Sequence, residues 1–90
     1  MPRNPVPQSA AQEQVRVGAT LKVLREKSGL KPDEAANRVP ISRSYLVNIE
    51  AGRKPLTPVL CARFAAIYNA PQAAIVPEGY FLNEPTEVPA

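Results

Sequence analysis

A chain of 90 residues with a net charge of +3 has room for one small domain. With no histidine and a single cysteine, Cys61, it lacks the residues for a zinc cluster, an internal disulfide, or Cys–His or Ser–His catalysis. No enzymatic activity, metal or cofactor is therefore expected.

A hydrophobic share of 44% against 21% charged favours a folded chain. The 11 prolines, roughly 12% where about 5% is usual, must then punctuate structure rather than prevent it. Charge is divided along the chain. Residues 1–63 hold all 11 basic residues against five acids, a net of +6, whereas residues 64–90 hold three acids and no base. A basic body with an acidic tail suits a polyanionic partner.

Residues 1–12 carry three prolines and no apolar run, which predicts a flexible arm rather than a signal peptide. No segment approaches the roughly 20 apolar residues of a membrane span, so a cytoplasmic location is expected. From about Glu13 the spacing of Val17, Leu21 and Leu24 predicts a helix. Gly29 should end it in the left-handed conformation, with Leu30 folding back. Pro32 suits the first turn of a second helix, where Asp33 and Glu34 complement the dipole. Ala35, Ala36 and Val39 should face inward, and Pro40 should push Val39 out of the helical region.

Ser42 is the expected cap of a third helix, buried through Leu46 and Ile49 and closed by Gly52. Arg53-Lys54-Pro55 forms a basic loop. Thr57-Pro58 then opens a fourth helix with a stripe of Leu60, Phe64 and Ile67, flanked by Cys61 and Tyr68 and ended at Asn69-Ala70. A short turn from Pro71 to Val76 follows, and weak strand signals fall on Tyr80-Phe81-Leu82. The expected fold is all-α, with four or five helices between two tails: an arm over 1–12, a domain over 13–76 and an acidic, proline-containing tail over 77–90.

Two short helices joined by a tight turn form a helix-turn-helix layout. Three stretches carry a family resemblance: Val17-Gly18-x-x-Leu21-x-x-Leu24-Arg25, then Ser28-Gly29-Leu30, then Ile41-Ser42-Arg43-Ser44-Tyr45-Leu46-x-x-Ile49-Glu50-x-Gly52-Arg53-x-Pro55. Together they resemble the Xre or lambda-type repressor family, which includes phage repressors and Cro proteins. The likeness runs from about Val17 to Val76, with the helix-turn-helix at about 32–50 and the recognition helix at about 42–51.

The resemblance implies a sequence-specific regulator of double-stranded DNA, most simply a repressor of phage, plasmid or bacterial genes. The third helix would lie in the major groove. Arg43, Ser44, Val47 and Asn48 would then face bases, and Lys31, Ser42, Tyr45, Arg53 and Lys54 would face phosphates. Arg3 of the arm is a lesser candidate for a minor groove. The family also implies that Glu50 pairs with Arg25, tying the first helix to the third.

The sequence departs from the family pattern in three places. Lys31 and Pro32 stand where Ser or Thr and a phosphate-binding Gln are usual. Pro40 stands where the turn usually has Gly. Leu56-Thr57-Pro58 is a variant entry to the fourth helix.

A homodimer on a palindromic operator is the expected assembly, with Tyr80, Phe81 and Leu82 as a dimer or partner contact. The competing reading is an antitoxin or other interaction module of the same fold, whose C-terminal tail binds a partner protein.

Overall fold

The computed structural model describes residues 9–83, which form four α-helices and two 3₁₀ turns with no strand among the described residues. The helices are α1 (Ser9–Lys27), α2 (Pro32–Arg38), α3 (Arg43–Glu50) and α4 (Pro58–Tyr68), followed by 3₁₀ turns at Gln72–Ala74 and Tyr80–Asn83. The fold is the expected all-α one.

Start and stop residues account for most boundaries. Pro32 and Pro58 occupy first turns, where the missing N–H costs nothing. The Glu34 carboxylate accepts the Lys31 backbone N–H at 2.8 Å, which closes the entry to α2 from its third residue. Ser42 and Thr57 cap α3 and α4 by accepting the N–H of Tyr45 at 3.0 Å and of Leu60 at 3.2 Å.

The exits share one device. At Gly29 (φ +74) and Gly52 (φ +81) the chain turns left-handed, and the next residue's N–H returns to a carbonyl five residues back. Those bonds run from Leu30 to Arg25 at 3.1 Å and from Arg53 to Asn48 at 2.9 Å. Asn69 (φ 54) does the same for α4, with Ala70 bonded to Ala65 at 3.0 Å.

The core joins Val17 and Leu21 of α1, Ala35 and Ala36 of α2, Leu46 and Ile49 of α3, and Leu60, Cys61, Phe64 and Tyr68 of α4. Val39, Leu56, Ile75 and Val76 close it from the connections. Packing runs α1 on α3, α2 on α3, α1 on α4, and α4 on the first 3₁₀ turn. Phe64 and Tyr68 stack with ring centroids 5.7 Å apart. Burial raises the thiol pKa of the free, fully buried Cys61.

Several details differ from the reading of the sequence. Helix α1 starts at Ser9, so residues 9–12 are helical rather than part of an arm; Ala10, Ala11 and Gln12 are good helix formers that extend a helix already held by packing. Val39 keeps right-handed helical angles (φ −65, ψ −47) and bonds its N–H to Ala35 O at 3.2 Å, although Pro40 follows through a cis peptide bond. Its side chain is 2% exposed, so core packing overrides the local preference. The α4 stripe is centred on Cys61, Phe64 and Tyr68, with Ile67 only half-buried at its margin.

Tyr80-Phe81-Leu82 forms a 3₁₀ turn, not a strand. The N–H of Tyr80 bonds Pro77 O, and that of Leu82 bonds Gly79 O, both at 3.1 Å, which satisfies locally what a strand would need a neighbour to satisfy. Arg3 and the prolines at 85 and 89 lie outside the described residues.

Candidate nucleic-acid interface

Helix α3 is positioned from below and at both ends. Leu46 and Ile49 are 0% and 1% exposed and fix its inner face. At its start the Ser42 hydroxyl is committed to the Tyr45 N–H. Near its end Glu50 receives Arg25 of α1 through two parallel bonds, Nε to Oε2 at 2.8 Å and Nη2 to Oε1 at 3.2 Å. Both side chains are 8% exposed. The third donor in use, Nη1, reaches Leu30 O at 2.9 Å, so one guanidinium holds α3 and the exit of α1 together. Bonding to Glu50 outweighs the cost of burial and raises the Arg25 pKa. The ion pair expected from the family resemblance is thus present.

Two long-range contacts escape pattern reading. Gln14 of α1 donates from Nε2 to Gly52 O at 2.8 Å, bracing the exit of α3. Arg63 of α4 donates to Val39 O at 3.3 Å, which holds the turn between α2 and α3. Both join residues more than twenty positions apart, and neither belongs to a local motif.

Opposite Leu46 and Ile49 lie the residues expected to face bases. Arg43 and Ser44 are exposed, while Asn48 is half-buried. Val47 is also half-buried and packs against the core, so it is not the fully outward apolar residue that its place in the sequence suggests. Arg43 pairs with Asp33 of α2 at 2.7 Å, a contact in which both side chains are more than half exposed. Asn48 accepts Arg53 Nε on Oδ1 at 2.9 Å.

Among the residues expected to face phosphates, Lys31, Ser42, Arg53 and Lys54 are exposed, and Tyr45 is half-buried against the core. The Lys54 N–H, like that of Arg53, folds back to Asn48 O, at 3.2 Å, and draws the basic loop against the end of α3. This surface offers hydrogen-bond donors and positive charge.

A family model described as a helix-turn-helix domain matches residues 16–75. The chain belongs to the Xre/Cro-like helix-turn-helix family. Solved structures of the same fold include the restriction-modification controller protein C.AhdI from Aeromonas hydrophila. It is 23% identical with a TM-score of 0.68, over 71% of this chain and 97% of that one.

The clp gene regulator ClgR from Corynebacterium glutamicum is 27% identical with a TM-score of 0.65, over 81% of this chain and 71% of its own. An HTH_3 family transcriptional regulator from Vibrio cholerae is 26% identical with a TM-score of 0.67; the match spans 84% of this chain and 40% of the regulator. A comparison with curated proteins finds no match. The helix-turn-helix fold is that of DNA-binding transcriptional regulators. Among the described residues no helix is long and apolar enough to cross a membrane.

Proposed function

We propose that the chain is a sequence-specific double-stranded DNA-binding regulator that inserts α3 into the major groove and represses by occluding a promoter. The observation that carries this reading is the Ser42-capped helix α3. It is pinned to the body by Leu46, Ile49 and Glu50, and it leaves Arg43 and Ser44 exposed and Asn48 half-buried.

Arg43 matches the two acceptors of guanine, O6 and N7; Ser44 can meet either kind of base, and Val47 offers its remaining exposed surface to a thymine methyl. Lys31 and Lys54, with the exposed loop around them, supply phosphate contact. Lys31 supplies charge where the family pattern has an amide, and its neighbour Pro32 has no N–H to offer.

A homodimer on a palindromic site completes the reading, joined through Tyr80, Phe81 and Leu82. Leu82 is 85% exposed beside an open groove of about 520 Å³ lined by Val76, Pro77 and Phe81. The same surface supports the second reading, an interaction module that binds a partner protein with its C-terminal segment.

Selection of bound duplexes from a random pool tests both. A palindromic consensus that degrades in Arg43→Ala, with the helical content of the protein unchanged, supports the DNA-reading role. Absence of any consensus for the intact chain overturns it in favour of the interaction module.

A further inference from the structure

Arg53 stands one residue beyond the left-handed turn at Gly52, and that turn brings it back over the end of α3. Its backbone N–H meets Asn48 O at 2.9 Å and its side-chain Nε meets Asn48 Oδ1 at 2.9 Å. The loop residue therefore grips the helix residue at two points, one on the backbone and one on the amide.

Arginine carries five donors and no acceptor, so only the oxygen of the Asn48 amide can face it. The amide orientation is fixed by this chemistry. A free asparagine reads adenine with both ends of its amide, accepting from N6 and donating to N7. In this chain the accepting end already receives a donor and sits beside a positive guanidinium. A further donor, such as adenine N6–H or cytosine N4–H, would be brought against that charge. The donating end, Nδ2, is then the end of the amide that is left to meet a base, and it presents a donor.

We infer that Arg53 is a specificity-determining positioning residue, which acts through Asn48 to turn an adenine-reading side chain into one that selects an acceptor edge, guanine O6 and N7. This rests on the DNA-reading role proposed above for α3, and assigns Arg53 a task different from phosphate contact. Arg53 touches the base pair only through the amide it orients.

The test is duplex selection with the intact chain, Asn48→Ala and Arg53→Met at one salt concentration. Arg53→Met keeps an unbranched stem at an exposed site and removes every donor. Asn48→Ala identifies the base pair read by residue 48 as the position whose preference disappears. At that position the intact chain is expected to favour guanine. Arg53→Met is expected to move the guanine-to-adenine ratio toward adenine by about tenfold, the order of one bidentate contact.

An unchanged preference in Arg53→Met, with affinity lower on all sequences and a salt slope reduced by about 1, overturns the inference and makes Arg53 a plain phosphate contact. If Asn48→Ala alters no position while Arg43→Ala still degrades the consensus, the inference falls and the role of α3 stands. If neither alters it, both fall.

Discussion

Arg25 and Glu50 are the most consequential pair of side chains in the molecule. Both are 8% exposed, and each satisfies the other by two hydrogen bonds. Removing one partner strands a buried charge, so Glu50→Ala and Arg25→Met should each cost about 3 to 5 kcal/mol. The double variant should lose less than the sum of the two, and thermal melts of the three proteins read the difference. Tyr68 is the opposite case. Its hydroxyl is buried with no hydrogen-bond partner among the described residues, and burial pushes its pKa up to about 12. Tyr68→Phe should therefore stabilise the fold by about 1 kcal/mol at neutral pH. Below pH 10 the phenol is neutral in both the folded and the unfolded chain. Between about pH 10 and 12 only the unfolded chain ionises, so the stability of the parent protein declines there. Urea titrations at pH 7 and pH 11 should show the advantage of the phenylalanine variant growing with pH.

Among the elements, α1 approaches the backbone of α3 closely at Gly18. A Cβ at Gly18 would collide with Ile49 O and lie 2.7 Å from Glu50 O, both backbone atoms that cannot swing away. Alanine ordinarily gains about 1 kcal/mol over glycine inside a helix. Here the overpacking term, about 1 to 3 kcal/mol, opposes it and should win. A lower midpoint for Gly18→Ala in circular dichroism melts checks this. The helices themselves were legible in the sequence because their punctuation is local: Pro32, Ser42, Thr57 and Pro58 mark starts, and Gly29, Gly52 and Asn69 mark stops. The Arg25–Glu50 pair was legible only through the family resemblance, since 25 residues separate its members. The Gln14–Gly52, Arg63–Val39 and Arg53–Asn48 contacts were not legible. Each depends on where a packed neighbour delivers a flexible side chain, and no spacing rule encodes that. The strand signal at Tyr80–Leu82 failed because aromatic content marks half-buried surface, which a 3₁₀ turn provides as well.

For the molecule as a whole, charge decides how it should approach a polyanion. Within the net +6 of residues 1–63, the segment 31–54 that holds α2, α3 and their loops has five basic residues, Lys31, Arg38, Arg43, Arg53 and Lys54, all exposed, against three acids, a net of +2. Binding to DNA should weaken linearly with the logarithm of salt concentration, at a slope near −0.9 per phosphate contacted. Four to six such contacts in each half of a dimer would give a steep dependence, which fluorescence anisotropy across a salt series measures. Lys31→Ala and Lys54→Ala should each lower the slope by about 1 while leaving the selected consensus unchanged. A changed consensus would place these lysines on base edges instead.

The pinning of α3 has a consequence for how such a protein changes its target. Its stability rests on Leu46, Ile49, Glu50 and the Ser42 cap, none of which is proposed to read a base. Arg43 and Ser44 are exposed and take no part in the core, so they are open to exchange with little penalty in folding. Asn48 is not independent in the same way, because Arg53 holds its amide from the neighbouring loop. A lineage that acquires a new operator can therefore vary the first turn of α3 one position at a time. At its far end the unit of inheritance is a pair of residues separated by a glycine turn.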